Sequence, residues 1–288
     1  MQQQLDTLVR DIYNLMEGKT IPEGVNLEEE CERFGQKMAT ALLDSFTEYD
    51  GRGRLRLSAI GKHDRQIYNS YNGVASQPIR GSTYIKFLYG HLVEAMLVAL
   101  TRISGHEVTD EQKQLEVGGV KGHMDCRIDG VVVDVKSCSS YGFKKFRNHK
   151  LHEDDPFGYI GQLKAYAHAE GESEYAWLAM DKANGSLCVL RYDERDTTTD
   201  YYDSINWDVG ERIEAIKKLI GGSAPPQICY EPIEDGKSGN MKLDTGCTYC
   251  DFRYSCWPNV QVYHYSSGPR YLTTVVREPN VLTIPKEF

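Results

Sequence analysis

The segment KGHMDCRIDGVVVDVKS, residues 121–137, decides the fold of this chain. Asp129-Gly130 lies between two runs rich in apolar residues, and an Asp-Gly pair in that position is typical of a two-residue hairpin turn. The segment therefore predicts an antiparallel hairpin within residues 116–137. The turn sets the register, which pairs the following residues across the hairpin: Ile128 with Val131, Arg127 with Val132, Cys126 with Val133, Asp125 with Asp134, and His123 with Lys136.

Side chains alternate along a strand, so the hairpin has an apolar face and a polar face. The polar face carries Asp125 opposite Asp134, and like charges placed so destabilise a strand pair by up to ~1 kcal/mol. A divalent cation between the two carboxylates would reverse that effect, and Mg²⁺ or Mn²⁺ prefers such oxygen ligands. Lys136, on the same face, could orient a water molecule or stabilise charge on a phosphate. The alternative is a solvated face with ordinary surface charges.

Gly122-x-x-Asp125 followed by Asp134-Val135-Lys136 resembles the core motif of the PD-(D/E)XK nucleases. The resemblance implies a mixed α/β fold of the restriction-endonuclease type, with a central mixed sheet flanked by helices. It implies hydrolysis of DNA phosphodiester bonds with Mg²⁺ or Mn²⁺. In this pattern Asp125, Asp134 and the backbone carbonyl of Val135 hold the metal, and Lys136 assists the attacking water.

Two further positions are similar to the RecB/AddB-like branch of that superfamily. Glu94 lies on a predicted helix before the hairpin, where the branch has a glutamate that completes the acidic set, and His91 is a weaker metal candidate three residues earlier. Gln162 and Tyr166 share one face of the predicted helix after the hairpin. They match the fourth motif of the branch, which implies substrate contact. The plainer interpretation of Glu94 is an exposed residue of an amphipathic helix.

The stretch between the hairpin and the helix of Gln162 mixes basic and aromatic residues, as the compact nucleases of bacteriophages do. Phosphate contacts and base stacking together suit a DNA strand. A solvated loop whose charges have no role is the alternative. The expected DNA-binding residues are Lys144, Lys145, Arg147 and Tyr141, with Phe143 and Phe146 as further stacking candidates.

Cys247, Cys250 and Cys256 form a C-x2-C-x5-C pattern, and three thiols so close together indicate a metal centre. RecB/AddB-like and CRISPR-associated nucleases have three such cysteines and a fourth far upstream, which together hold a [4Fe–4S] cluster. Here His63 stands at the expected upstream position, with Cys31 as a rival. Three cysteines and a histidine are also a common zinc set, so an iron–sulfur cluster and structural Zn²⁺ both stay open. Either centre would staple the C-terminal region to the core.

The amino-acid composition excludes some classes of protein for this chain. The 288 residues carry 33 Lys and Arg against 42 Asp and Glu, a net charge of -9, which excludes a basic DNA-coating protein but not a local basic groove. No run approaches the ~20 apolar residues of a membrane helix. The N-terminal residues lack the pattern of a secretory signal. We therefore expect no membrane association, reduced cysteines and a cytoplasmic location, in the bacterial host if the chain is phage-encoded.

Four segments follow from the pattern along the chain. We expect a helical N-terminal extension at 1–53, the nuclease core at 54–200, a C-terminal helix with the cysteine-rich region at 201–262, and a tail at 263–288. Residues 54–60 are expected to form a short strand or a loop.

The function predicted is a metal-dependent DNA exonuclease that acts on DNA ends, single-stranded ones above all, in phage or bacterial recombination, repair or DNA processing. One alternative is a nuclease subunit that works only with a helicase or an adaptation complex. The chain has no G-x-x-x-x-G-K-[ST] motif, so a motor would be a separate partner protein. The other alternative is a non-catalytic nucleic-acid-binding module, against which the intact set of Glu94, Asp125, Asp134 and Lys136 argues.

Overall fold

A computed structural model describes residues 4–47, 53–79 and 81–284 of the chain. The helices are α1 (Leu8–Gly18), α2 (Leu27–Asp44), α3 (Asp64–Tyr71), α4 (Gly81–Ile103), α5 (Ser140–Arg147), α6 (Tyr159–Ala169), α7 (Tyr202–Ile205), α8 (Val209–Ile220), α9 (Thr245–Thr248) and α10 (Arg253–Cys256). The strands are β1 (Val108–Thr109), β2 (Gln114–Val117), β3 (Val120–His123), β4 (Cys126–Ile128), β5 (Val131–Cys138), β6 (Glu174–Asp181), β7 (Leu187–Asp193), β8 (Ile233–Glu234), β9 (Met241–Lys242), β10 (Gln261–Tyr265), β11 (Gly268–Thr274) and β12 (Thr283–Ile284).

Contacts within the chain group it into two compact units. The first contains Met1–Asp50, Arg56–Gly61 and Ile79–Ile213, and the second contains Gly51–Leu55, Lys62–Pro78 and Glu214–Phe288. Both units are discontinuous in sequence, whereas the sequence predicts contiguous segments.

The first unit is built on a five-stranded sheet with the order β1-β4-β5-β6-β7. The pair of β5 and β6 is parallel, and the other pairs are antiparallel, so the sheet is mixed. Apolar residues of α1 and α4 pack with one face of the sheet, where Val133 and Val135 of β5 lie in the same buried cluster as Val93 and Leu97. Helices α5 and α6 also contact β5 and β6. The expected mixed α/β class, with helices flanking a central mixed sheet, is confirmed.

The decisive hairpin forms at the predicted turn. Asp129 and Gly130 have φ values of 50° and 86°, as a type I′ turn requires. The three predicted pairs nearest the turn, from Ile128–Val131 to Cys126–Val133, are confirmed. The next two are wrong, because β4 begins at Cys126 and His123 pairs instead with Gln114 in a separate two-stranded sheet of β2 and β3. The chain changes sheet at residues 124–125, whose backbone bonds to residues 112–113.

The polar face of the hairpin is not solvated. Val132 is 0% exposed and Asp134 is 1% exposed, because β5 is the middle strand of the sheet and is covered on both faces. Strands in such a position are ordinarily apolar throughout. A buried carboxylate there is costly unless it has a charged or hydrogen-bonding partner. The interpretation of the pattern as an ordinary surface ribbon is therefore excluded for Asp134.

The start of α6 crosses residues 57–61 at very short range. This region, for which the sequence predicts a short strand or a loop, contains a 3₁₀ turn, Leu57–Ala59, and no strand among its described residues. A Cβ atom added to Gly161 would lie 2.3 Å from the Cα atom of Gly61, and one added to Gly61 would lie 2.3 Å from the carbonyl oxygen of Gly158. Only glycine allows two backbones to approach so closely. This crossing sets the position of α6, which carries Gln162 and Tyr166.

Substituting Gly161 with alanine is expected to lower the free energy of unfolding by about 1–3 kcal/mol, because the new methyl group must push apart two backbones that cannot rotate away. Gly35 is the matched control, since it also lies within a helix but a Cβ atom added to it would meet nothing within 4 Å. Gly35→Ala should stabilise by about 0.4–1 kcal/mol. Denaturant unfolding of both variants measures the difference, and equal effects would contradict the crossing.

The second unit contains α3 and an antiparallel sheet with the order β12-β10-β11-β9-β8. Strands β10 to β12 occupy the region after residue 260, for most of which the sequence predicts only a tail. The cysteine-rich segment, with its short helices α9 and α10, precedes β10 and packs within this unit with Val260, Val262 and Tyr271.

By length and composition alone, α4 could cross a membrane, with a mean hydropathy of 1.2 over its most apolar window. This differs from the expectation that no run of the chain is apolar enough. The C-terminal half of α4 places Val93, Leu97 and Val98 in the buried cluster of the first unit. A helix used in this way passes the same test as a membrane span, so the finding is weak support for membrane insertion.

Candidate active site

The buried centre of the site is an ion pair on β5. Asp134 and Lys136 are two residues apart and project from the same face of the strand, with Lys136 Nζ 2.6 Å from Asp134 Oδ2. Asp134 Oδ2 is buried and receives no well-aligned hydrogen bond from any described residue. The ammonium group also lies 4.6 Å from the centre of the Tyr159 ring, a cation–π contact. The pattern in the sequence contained no indication of Tyr159.

Asp125 reaches this centre from the loop between β3 and β4, not from a paired strand. Its Oδ2 atom accepts a hydrogen bond of 2.8 Å from the backbone nitrogen of Val135. Val135 lies between Asp134 and Lys136, so this bond holds the Asp125 carboxylate against the segment of β5 that carries the other charged groups. The two aspartates are thus brought together, although the predicted strand pairing between them does not exist.

Glu94 comes from α4 and is linked to Asp125 through a residue that the sequence pattern did not indicate. Gln112 donates from its side-chain nitrogen to Glu94 Oε1 at 2.8 Å, and its backbone nitrogen donates to the Asp125 carbonyl oxygen at 2.9 Å. Gln112 adopts the left-handed conformation, with φ of 52°, which non-glycine residues rarely adopt. His91 Nδ1 is 3.9 Å from Glu94 Oε2, on the exposed side of the helix.

Gln162 and Tyr166 lie on the face of α6 that covers Asp134, as their spacing predicts. Gln162 donates to Asp134 Oδ1 at 3.2 Å and to the Tyr166 hydroxyl at 3.5 Å. The Tyr166 ring is buried and lies where a Cβ atom on Gly122 would come within 2.9 Å of it. Gly122, the first residue of the motif, therefore provides the space that lets Tyr166 reach the site.

Burial and mutual repulsion disfavour negative charge in this cluster. Burial, followed by the charges of Asp134 and Glu94, raises the pKa of Asp125 well above its usual value. Burial also raises the pKa of Asp134, although Lys136 opposes that shift. Burial alone would lower the pKa of Lys136, but Asp134 and Asp125 outweigh burial and raise it. Three carboxylates face one ammonium group, an imbalance that a bound cation would correct.

The donor set suits a hard divalent cation, because Glu94, Asp125 and Asp134 supply carboxylate oxygens, which Mg²⁺ and Mn²⁺ prefer. As the side chains stand, no group of three or more His, Cys, Asp or Glu residues within the described ranges is arranged to hold a metal ion. The Lys136 ammonium group contacts Oδ2 of Asp134, one of these carboxylate oxygens.

The expected DNA-binding residues lie on α5, a helix that the sequence pattern did not indicate. Lys144, Arg147 and Tyr141 are exposed, while Lys145 pairs with Asp154 and lies over the Tyr141 ring at 5.4 Å. Phe143 and Phe146 are buried, so their expected role in base stacking is wrong. They form the apolar side of α5 against the sheet, because residues three apart share one face of a helix.

The second unit has a small cavity lined by Cys247, Cys250 and Cys256, and a fourth cysteine, Cys229, lines it as well. His63, the predicted fourth ligand, is not among the described residues that line the cavity. Its Nε2 atom lies 2.6 Å from the hydroxyl of Tyr230. Cys31 lies in the first unit and is exposed on α2. The signal in the sequence that could have indicated Cys229 is its position 18 residues before Cys247, which makes it the nearest cysteine upstream of the C-x2-C-x5-C pattern.

No protein-family model matches the chain, and no curated protein matches it. Among solved structures, an alkaline exonuclease, LHK-Exo from Laribacter hongkongensis, is 14% identical with a TM-score of 0.39, covering 58% of this chain and 90% of its own. Its complex with dAMP is 15% identical with a TM-score of 0.37, covering 65% and 94%. SSO0001 is 14% identical with a TM-score of 0.40, covering 77% and 95%. Similarities at this level carry no argument about activity, for which the residues themselves are the basis.

Proposed function

We propose that the chain is a Mg²⁺- or Mn²⁺-dependent deoxyribonuclease of the PD-(D/E)XK type, most similar in its motifs to the RecB/AddB-like branch, and that it degrades DNA from its ends. One observation carries the proposal. Glu94 from α4, Asp125 from a loop and the buried Asp134 from β5 converge with Lys136 at one site, although 39 residues of chain lie between Glu94 and Asp134. A structural ion pair needs one carboxylate, not three.

In this proposal each residue has a distinct task. Asp125, Asp134 and the carbonyl oxygen of Val135 would hold the cation, and Glu94 would complete the acidic set. A divalent cation held there would supply Lewis-acid chemistry to the scissile phosphate and to the attacking water. Gln162 keeps the Asp134 carboxylate in position through its hydrogen bond. Water adds to phosphorus, the bond to one bridging oxygen breaks, and that oxygen takes up a proton.

Lys136 acts as a cation in this proposal and not as a proton acceptor. The neighbouring aspartates outweigh burial and raise its pKa, so the ammonium form persists at neutral pH. An ammonium group can donate hydrogen bonds to a water molecule and to a phosphate oxygen, and it stabilises the negative charge that grows during attack. Its contact with the Tyr159 ring holds the side chain on the same side as Asp134.

A single DNA strand would follow the exposed half of α4. Tyr84, Phe87 and His91 lie at spacings of three and four residues and continue the face that carries Glu94. Tyr84 and Phe87 are 53% and 54% exposed and pack edge to face. Aromatic rings in such a row stack successive bases without regard to sequence. The stripe leads directly to the acidic residues, which supports a DNA strand as its occupant.

Phe87→Ala is expected to weaken binding of single-stranded DNA by about tenfold, because each stacked base contributes about 1–3 kcal/mol. Hydrolysis at saturating DNA should change little. The matched control is Phe46→Ala, which removes an aromatic ring that is 84% exposed beyond the end of α2. Fluorescence anisotropy with a labelled oligonucleotide measures the affinities. Equal losses for both variants would argue against a strand path on α4.

The activity itself is tested with the purified full chain and end-labelled single- and double-stranded DNA in Mg²⁺, Mn²⁺ or EDTA. We expect linear DNA to be degraded with either metal, EDTA to stop the reaction, and covalently closed circular DNA to resist. Intact linear DNA with both metals would overturn the proposal, and cleavage of closed circles would replace the exonuclease with an endonuclease. A role in recombination or repair, and a helicase partner, stay predictions from the sequence.

A further inference from the structure

The cavity of the second unit is lined by four cysteines that no catalytic step uses. Cys229 precedes β8, Cys247 lies in α9, Cys250 follows α9, and Cys256 ends α10. The cavity measures about 10 Å³, close to the smallest volume that holds one water molecule. Its walls otherwise include Gln66, Asn69 and Trp257. Four thiols are the number that tetrahedral coordination needs, although, among the described residues, the cysteine side chains as they stand are not yet arranged around a metal position.

Packing between two backbone segments places Cys229 beside the other three cysteines. Tyr230, the next residue, lies over Gly246, and a Cβ atom added to Gly246 would come within 2.4 Å of the Tyr230 ring. Gly246 immediately precedes Cys247. Because Gly246 has no side chain, the Tyr230 ring can pack directly on its backbone, and this contact holds the segment of Cys229 against the segment of Cys247. Within the latter segment, a backbone hydrogen bond of 3.1 Å from Cys250 to Cys247 closes the C-x2-C turn.

The sulfur atom of Cys250 has hydrogen-bonding neighbours. The Phe252 backbone and the Gln66 side chain both hydrogen-bond to it. Donors aimed at sulfur are typical of metal-bound thiolates. A bound metal ion would deprotonate the thiols outright.

We propose that Cys229, Cys247, Cys250 and Cys256 bind one metal centre, with Cys229 as the fourth ligand in place of His63. Four thiolates hold either a single Zn²⁺ or a [4Fe–4S] cluster, and the shared chemistry is tetrathiolate ligation. All four ligands then lie within the second unit, between residues 229 and 256. This differs from the family pattern, in which the fourth cysteine lies upstream of the nuclease core. The inference is independent of the proposed nuclease activity.

His63 has a different role in this arrangement. One of its ring nitrogens is engaged with the Tyr230 hydroxyl, and the two rings pack edge to face with their centres 4.6 Å apart. His63 therefore supports Tyr230, the residue that docks Cys229 onto the C-x2-C turn. It is not a ligand in this arrangement, so its replacement should leave the metal content intact.

X-ray absorption of the wild-type full chain, expressed with zinc and iron in the medium and purified without oxygen, tests the ligand set directly. We expect a first coordination shell of sulfur alone at about 2.3 Å. Metal analysis separates the two centres, since one zinc in a colourless protein indicates Zn²⁺, whereas iron and sulfide in a brown protein indicate the cluster. A nitrogen ligand in the first shell, or no bound metal, would overturn the proposal.

Variants provide the second readout, which is metal content per chain. Cys229→Ser is expected to lose the metal as completely as Cys247→Ser, whereas His63→Gln and the matched control Cys188→Ser should retain it. Cys229→His should restore binding of zinc, because it returns a fourth ligand. Full metal content in Cys229→Ser, or its loss in His63→Gln, would contradict the assignment. Absence of DNA hydrolysis by a wild-type chain with full metal content would count against the nuclease proposal alone.

Discussion

Replacing Asp134 with asparagine is expected to lower metal-dependent DNA hydrolysis by at least about 10²–10³-fold. The carboxylate supplies a charged ligand and holds Lys136, and removing one group that stabilises transition-state charge has effects of this size. Asp181→Asn is the matched control, because Asp181 is also a buried carboxylate at the end of a strand of the same sheet, but it bonds to Ser140, Ala183 and Asn184. Single-turnover assays with Mn²⁺ measure the rates.

Misfolding must be separated from loss of chemistry, because Asp134→Asn leaves the Lys136 ammonium group buried without its closest counterion. Breaking a buried pair in this way costs about 3–5 kcal/mol. The double variant Asp134→Asn, Lys136→Met removes both charges and is expected to regain most of that stability while remaining inactive. Hydrolysis at the wild-type rate in a folded double variant would exclude these residues from the reaction.

Asp125→Asn is expected to stabilise the metal-free protein while abolishing its response to metal. The folded state raises the pKa of Asp125, so between the unfolded and folded pKa values the folded chain binds more protons than the unfolded chain. Stability from this group therefore falls as the pH rises above about 4, the unfolded pKa of an aspartate. Asparagine keeps an acceptor for the Val135 backbone nitrogen and removes the charge.

Thermal and denaturant unfolding across pH 4–8 measure this effect. At neutral pH without metal, the free energy of unfolding of the variant should exceed that of the wild type by at least about 1.4 kcal/mol, the amount that one pKa unit represents, and the difference should disappear toward pH 4. Mn²⁺ should raise the melting temperature of the wild type only. A metal-free variant that is less stable than the wild type at every pH, or that responds equally to Mn²⁺, would contradict the assignment of Asp125.

Replacing a carboxylate that only stabilises the fold would lower the stability of the metal-free protein, whereas replacing Asp125 is expected to raise it. This difference distinguishes a metal-binding site from a structural salt bridge. In the Asp134–Lys136 pair on its own, one negative charge would balance one positive charge. The second and third carboxylates, Asp125 and Glu94, make the metal-free cluster unfavourable, and Gln112 holds both of them in place. Local destabilisation that a ligand relieves is a common property of functional sites.

Much of the site was predictable from short-range patterns. The Asp129-Gly130 turn set the local register, alternation placed Asp134 and Lys136 on one face, and helical spacing placed Gln162 and Tyr166 together. These relations span at most a few residues, and backbone geometry determines them without reference to the rest of the chain. The closeness of Cys247 and Cys250, which are three residues apart, is another such short-range relation.

Contacts between distant residues were not predictable in the same way. The sequence placed Asp125 opposite Asp134 on a strand, whereas the structure delivers it from a loop, because the chain leaves one sheet for another between β3 and β4. It indicated His63 as the partner of the three cysteines, whereas packing of Tyr230 on Gly246 brings Cys229 to them. It treated Phe143 and Phe146 as accessible, and the sheet buries them.

The sequence by itself determined the chemical identity of the charged groups, the hairpin turn and the faces of individual helices and strands. Only the tertiary structure decided that β5 is the middle strand, which buries Asp134 and shifts its pKa, and that Gln112 and Tyr159 belong to the site. The physical reason is that local geometry follows from covalent structure, whereas burial and long-range proximity depend on how all the elements pack at once.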